Sequence, residues 1–138
     1  MRLRKDAKIE LLKRVPLFAQ CSRKELEEIG KIADEIDFRT GKELTREGQP
    51  GREFFVLLDG TAEVTKGART VRKLSGGDFF GEIALVSDIP RTATVTTVSP
   101  ARALVITDRS FKRLLERSPT IQLKVLRALA ERIEPAVP

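Results

Sequence analysis

The glycine-rich stretch that decides the fold reads Gly76-Gly77-Asp78-Phe79-Phe80-Gly81-Glu82-Ile83-Ala84-Leu85, and after a short gap comes Pro90-Arg91-Thr92-Ala93. Glycines at positions 76, 77 and 81 permit positive φ angles and close approach of the backbone to a neighbouring group. Peptide N–H groups of a turn at 81–84 can then point at an anion, and a helical turn starting there adds its dipole. We therefore expect an anion, such as a phosphate, at this turn.

Two charged side chains of this stretch extend the prediction. Arg91 follows a proline that fixes its approach, and a guanidinium offers planar paired donors to two phosphate oxygens. Glu82 lies between apolar residues, where a carboxylate needs a hydrogen-bond partner such as a ribose hydroxyl. The same two residues could instead pair with each other as a buried salt bridge with nothing bound. The residues alone leave both alternatives open.

Around this stretch, residues 36–107 have the pattern of short strands. Runs rich in Val, Phe, Thr and Leu are separated by turn pairs such as Thr-Gly, Pro-Gly and Asp-Gly. Residues 54–58 and 62–65 are predicted to form a hairpin around Asp59-Gly60. A second pairing is predicted between residues 92–98 and 101–106. This rhythm indicates an antiparallel β-sandwich or barrel.

Helical periodicity precedes and follows the strands. Apolar residues recur at helical spacing over 6–15, and Ser22 with Glu25 forms a capping box that begins a second helix over about 22–34. After Asp108 the helical period returns in two stretches separated by Ser118-Pro119. We predict an α+β fold that is mainly β and forms a single domain, 1–138. Its parts are N-terminal helices in 1–35, an antiparallel β-roll of the jelly-roll type in 36–107, and two closing helices in 108–134.

The composition excludes several classes of site. The 138 residues are 41% hydrophobic and 33% charged, with one cysteine, Cys21, and no histidine. These residues offer no internal disulfide, no metal cluster and no nucleophile with a neighbouring base. No apolar run approaches the roughly 20 residues of a membrane span, and no signal-peptide core is present. We expect a cytoplasmic protein that is not an enzyme and needs no metal or cofactor.

The net charge of +6 suits an anionic partner but does not identify one. Basic residues are scattered among acids, with no basic block of five and no tyrosine or tryptophan for base stacking. Most of this charge is interpreted as solvated surface. Binding to DNA or to a membrane is therefore not expected.

The run 80–85 followed by 90–93 resembles the phosphate-binding cassette of the cyclic nucleotide-binding domain family. Further residues fall in the order that the family shows, so the resemblance covers nearly the whole chain. They are Val15-Pro16-Leu17-Phe18, Ser22 with Glu25-Leu26, Glu47-Gly48, Gly51, Phe54-Phe55-Val56, and Gly60 with Glu63-Val64.

The resemblance implies a cyclic nucleotide ligand, cAMP or cGMP, and gives roles to residues of a cassette at 80–93. Arg91 is expected to bind the cyclic phosphate and Glu82 the ribose 2′-hydroxyl, while backbone amides of the turn, at Gly81 and Ala84, complete the phosphate cradle. The other expected contacts are Ile83, Thr92 and Ala93 in the cassette, and Val71, Leu74 and Arg132 around the base.

The resemblance does not determine which purine nucleotide binds or how binding is signalled to other proteins. The hydroxyl of Thr92 can hydrogen-bond guanine, which keeps cGMP open, but we expect cAMP. Arg132 on the last helix could stack on the purine as part of a lid, or lie in solvent. We expect a sensor that signals through another protein or an effector domain not in this chain, and its last helix also permits a homodimer. The alternative is a degenerate domain that acts as a protein-interaction scaffold.

Overall fold

A computed structural model describes residues 3–133, of which 132 and 133 are described by their backbone alone. The chain divides into a helical unit, Met1–Ile32 with Ser110–Pro138, and a β unit, Ala33–Arg109. The predicted chain order of helices, strands and helices is confirmed. The elements are α1 (Lys5–Lys13), α2 (Arg23–Lys31), β1 (Asp34–Phe38), β2 (Glu43–Thr45), β3 (Glu53–Asp59), β4 (Ala62–Lys66), β5 (Arg69–Leu74), β6 (Phe79–Phe80), β7 (Thr94–Thr97), β8 (Ala101–Thr107), α3 (Asp108–Arg117) and α4 (Pro119–Ile133), with 3₁₀ turns at Pro16–Phe18 and Glu82–Leu85.

The capping box predicted at Ser22 begins α2. The Ser22 hydroxyl accepts a hydrogen bond from the Glu25 backbone N–H at 3.2 Å, and the Glu25 carboxylate accepts one from the Ser22 N–H at 2.8 Å. These bonds satisfy two N–H groups that a helix start otherwise leaves unpaired. The helix ends at Lys31 rather than near residue 34, because Asp34 already pairs with Val105 in the first strand.

The two closing helices are separated at Ser118, as the sequence predicts. Pro119 is the first residue of α4, where its missing N–H does no harm. One face of α4 is buried at Ile121 and Val125, whereas the opposite face leaves Leu126 62% exposed. Among the described residues, no helix combines the length and the apolar character that crossing a membrane requires.

The β unit contains two four-stranded sheets, and all of their pairings are antiparallel. The strand orders are β1-β8-β3-β6 and β2-β7-β4-β5. Alternating side chains on each sheet point into a shared core, which confirms the predicted β-roll. This core contains Phe55, Leu57, Ala103 and Val105 from one sheet, and Ala62, Leu74 and Val95 from the other.

Both predicted strand pairings are wrong. β3 pairs with β6 and β8, while β4, across Asp59-Gly60, pairs with β5 and β7. Similarly, β7 and β8 lie in different sheets. Each turn carries the chain from one sheet to the other, and the two turns are joined by a bond from the Val98 N–H to the Thr61 carbonyl at 3.0 Å. Turn residues indicate a reversal of the chain but not which sheet the next strand joins.

Candidate functional site

The strand that leads into the site is fixed by aromatic contacts. The rings of Phe55 and Phe80 stack with centroids 4.9 Å apart, and those of Phe54 and Phe79 meet edge to face at 6.2 Å. In the backbone pairing of β3 with β6, Phe55 lies opposite Phe80 and Val56 lies opposite Phe79. Because β6 is only two residues long, these contacts determine where the chain leaves the sheet at Gly81.

Gly81 makes the turn that the sequence predicts. Its φ is 81°, in the left-handed region, and a Cβ there would lie 2.5 Å from Nη1 of Arg91 and 3.0 Å from the Glu53 carbonyl oxygen. Only glycine fits both the angle and the space. The 3₁₀ turn that follows is the expected helical turn, and within it the Ala84 N–H donates to the Gly81 carbonyl at 3.1 Å. The role of this amide in a phosphate cradle stays a prediction.

The backbone and the side chain of Arg91 are both held in place. Its backbone N–H donates to the Gln49 carbonyl at 2.8 Å, and its carbonyl accepts from the Gly48 N–H at 2.8 Å. Nη2 of its guanidinium donates to the Glu53 carbonyl oxygen at 2.6 Å. This partner is a neutral peptide oxygen, so the bond itself adds no negative charge beside the guanidinium.

The guanidinium lies between two glycines. A Cβ at Gly51 would lie 2.6 Å from Nε of Arg91, and the space at Gly81 is equally restricted. Burial lowers the pKa of Arg91, while the charge of Glu53 acts in the opposite direction. Arginine nevertheless stays protonated at any physiological pH. A half-buried guanidinium that is held in place by neighbouring backbone atoms is suited to binding an anion.

Two cavities, of about 390 and 350 Å³, share the Arg91 guanidinium as part of their walls. Both volumes are within the usual range of small-molecule sites. Their common lining is Phe79, Phe80, Gly81, Arg91 and Thr92. The first is completed by Glu82, Ile83, Ala84, Ile89 and Pro90, and the second by Thr45, Val64, Val71, Arg72, Leu74, Ala93 and Val95.

Each predicted contact residue except Arg132 lines one of these cavities, and the Arg132 side chain lies outside the described residues. The roles of these residues in binding stay predictions. Sequence reasoning missed several walls of the second cavity. Val64 could have been found, because it follows buried Ala62 at the two-residue period of a strand. Arg72 carries no such signal, since it lies on β5 with an exposed side chain 3.7 Å from Asp78.

A family model described as the cyclic nucleotide-binding domain matches residues 35–118. The chain belongs to the cyclic nucleotide-binding domain family. The match includes β2 to β8, all of β1 except Asp34, and the whole Arg91 site, and it confirms the resemblance noted from the cassette. All residues that line the two cavities around Arg91 lie within the matched range.

Relatives with either nucleotide in their names resemble the chain. A cAMP-dependent protein kinase regulatory subunit from Mycosarcoma maydis is 37% identical over 110 residues, which are 73% of this chain and 21% of that protein. The cGMP-dependent protein kinase egl-4 from Caenorhabditis briggsae is 34% identical over 121 residues, which are 83% of this chain and 16% of that protein. The chain thus spans about a fifth of the length of these curated relatives.

A solved structure matches most of the chain. It is the N-terminal domain of a transcriptional regulator from Streptomyces coelicolor A3(2), with a TM-score of 0.83 and 25% sequence identity. The match covers 92% of this chain and 94% of that one. The architecture of the family therefore extends over both the helices and the strands described above.

Proposed function

We propose that this domain is a regulatory sensor for a cyclic nucleoside monophosphate and that it binds cAMP more tightly than cGMP. The observation that carries the proposal is the Arg91 guanidinium, a half-buried cation whose hydrogen-bond partner is a neutral carbonyl and which two cavities share. A singly charged cyclic phosphate supplies the anion that this position favours.

The phosphate is proposed to bind between Arg91 and the Gly81 turn. A guanidinium has five N–H donors, so the bond to the Glu53 carbonyl leaves donors for two phosphate oxygens. The turn places a second source of N–H groups on the wall of the same cavity. Glu82 lies directly after Gly81 and lines this cavity as well, and its carboxylate is proposed to accept a hydrogen bond from the ribose 2′-hydroxyl.

The purine is proposed to occupy the second cavity. Its walls include the apolar side chains of Val64, Val71 and Leu74, which suit the face of a base. Adenine has fewer polar groups to desolvate than guanine, and this difference favours cAMP in an apolar cavity. Thr92 lines both cavities, and its hydroxyl can hydrogen-bond guanine, so cGMP is proposed to bind as well, but less tightly than cAMP.

In this proposal the domain regulates rather than catalyses. The site combines a cation, a glycine turn and apolar walls, which are groups that bind and orient a ligand. We propose that the domain acts in the cytoplasm and that nucleotide binding regulates another protein or an effector domain. The degenerate alternative differs in one measurable way, because a scaffold that has lost its ligand would bind no nucleotide.

Isothermal titration of the chain with cAMP, cGMP and 5′-AMP tests the proposal. We expect cAMP to bind most tightly and Arg91→Ala to weaken binding by about 30-fold or more, as truncation of a buried charged partner does. Arg69→Ala removes the same charge from the exposed start of β5 and is the matched control. Absence of nucleotide binding by folded wild-type protein, or equal binding by Arg91→Ala, would refute the proposed function.

A further inference from the structure

The positive charge of the chain is concentrated in the helical unit. Segments 1–32 and 110–138 contain 15 basic and 8 acidic residues, a net charge of +7, whereas segment 33–109 contains 11 basic and 12 acidic residues, a net charge of −1. These two values account for the net +6 of the whole chain. Since the proposed anion-binding site lies in the β unit, it does not explain this excess.

Helix α4 carries an exposed apolar stripe within this basic unit. Leu123 is 46% exposed and Leu126 is 62% exposed, on the face opposite to buried Ile121 and Val125. Pro119, Leu123, Leu126 and Ala130 follow one another at intervals of four, three and four residues, so they lie along one side of the helix. Exposed Arg127 lies beside the stripe. Such a stripe is the usual anchor for a partner helix.

A hollow of about 370 Å³ continues from this stripe to the start of α2. It is lined by Thr120, Leu123 and Lys124 from α4, by Lys24 and Glu25 from α2, and by Ser22, which caps α2. Lys24 is exposed on the first turn of its helix. An ammonium group beside apolar side chains can form an ion pair with a carboxylate of a partner whose apolar side chains pack on the same surface.

The one acid of the hollow does not compete for Lys24. Burial raises the pKa of Glu25, but hydrogen bonds from the Ser22 backbone, Lys124 and Thr120 outweigh it and lower the pKa to about 2. The Lys124 ammonium lies 3.1 Å from the Glu25 carboxylate, and both side chains are largely shielded from solvent. Glu25 is therefore an internal counter-ion for Lys124, and the outer rim of the hollow stays positive.

From these observations we propose that α4 and the start of α2 form a docking surface for an acidic amphipathic helix of a partner protein. The apolar side of the partner packs on Leu123 and Leu126, and its carboxylates pair with Lys24 and Arg127. Charge complementarity with the +7 unit selects an acidic partner over a second copy of this chain, which would bring like charges together. None of its residues lines the two cavities around Arg91.

The test uses the whole chain and two synthetic helical peptides with the same leucine stripe, one flanked by glutamates and the other by lysines. Fluorescence anisotropy is expected to show binding of the acidic peptide only. Leu126→Ser and Lys24→Glu should each weaken that binding by at least about 10-fold, because an apolar anchor or an ion pair is lost. Val98→Ser and Arg69→Glu are matched controls, since Val98 is 47% exposed in the β unit.

Several outcomes would overturn the proposal. They are no binding of the acidic peptide, equal binding of both peptides, and undiminished binding of the acidic peptide by Leu126→Ser or by Lys24→Glu. If the wild-type chain self-associates in sedimentation equilibrium, Leu126→Ser does not, and the acidic peptide fails to bind, then the occupant of the surface is a second copy of the chain. If phosphatidylserine vesicles bind the chain, neither peptide does, and Lys24→Glu abolishes vesicle binding, then the occupant of the surface is a membrane. Titration of each variant with cAMP separates all of these results from a failure of the nucleotide site.

Discussion

Replacing Gly51 with alanine tests the position of the Arg91 guanidinium without removing it. A Cβ at residue 51 would lie 2.6 Å from Nε and 2.8 Å from Cδ and Cζ of Arg91, too close for any real side chain. Gly51 does not have a left-handed φ, so alanine adds no backbone strain. Because bonds to Gly48 and Gln49 hold the Arg91 backbone, the guanidinium itself has to move.

The size of the effect follows from the bonds that depend on this position. In the new position the guanidinium loses its 2.6 Å bond to the Glu53 carbonyl, and with it the alignment for phosphate. A hydrogen bond to a charged group contributes about 1.5–3 kcal/mol. The affinity for cAMP should therefore fall by about 10- to 150-fold. The free energy of unfolding should fall by no more than about 1.5–3 kcal/mol, because the lost bond to the Glu53 carbonyl is the same bond from a charged group.

Isothermal titration with cAMP and thermal unfolding measure the two quantities. Gly30→Ala is the matched control, because its Cβ would meet its nearest neighbour, Cδ of Lys8, at an ordinary 3.5 Å. It should bind cAMP as the wild type does. If folded Gly51→Ala also binds cAMP with wild-type affinity, the guanidinium does not bind the phosphate from the position described, and the reasoning is refuted.

Three further predictions concern single side chains. Glu82→Gln should weaken cAMP binding by about 10-fold yet leave the affinity for 2′-deoxy-cAMP unchanged, because only the ribose hydroxyl contact is lost; an equal loss for both ligands in titration would contradict this. Thr92→Ala should lower the affinity for cGMP more than for cAMP, and an unchanged ratio would remove Thr92 from purine recognition. Because the pKa of Glu25 is lowered from 4.5 to about 2, its contribution to stability is complete above pH 4.5 and is lost as pH falls towards 2. Urea unfolding of Glu25→Gln should show lower stability at neutral pH without that acid-dependent loss, whereas parallel pH profiles for variant and wild type would disprove the assignment.

Local sequence signals predicted the parts of the fold that local chemistry controls. The capping box at Ser22, the restart of the helix at Pro119 and the left-handed turn at Gly81 each depend on one or two residues. The pairing of strands depends instead on which sheet each strand joins. Asp59-Gly60 has the same turn chemistry in a hairpin and in a sheet-to-sheet crossover, so it could not distinguish them.

The site shows the same division between local and long-range information. The glycine turn and Arg91 are close together in sequence and were predicted together. The position of the guanidinium depends on Gly51 and on the Glu53 carbonyl, which come from a distant loop and strand. Sequence reasoning placed Gly51 in the family pattern without giving it a role, because only the folded backbone shows which side chain it must make room for.

The most direct test of the central claim observes the contact between Arg91 and the phosphate itself. The Nε–H resonance of Arg91, assigned by its loss in Arg91→Lys, is followed by NMR while cAMP is added to the chain. We predict a large shift of this resonance that saturates together with the ³¹P signal of the bound nucleotide. An Arg91 resonance that stays unchanged when the protein is saturated with cAMP would contradict the account, because the nucleotide would then bind without the residue around which the site is built.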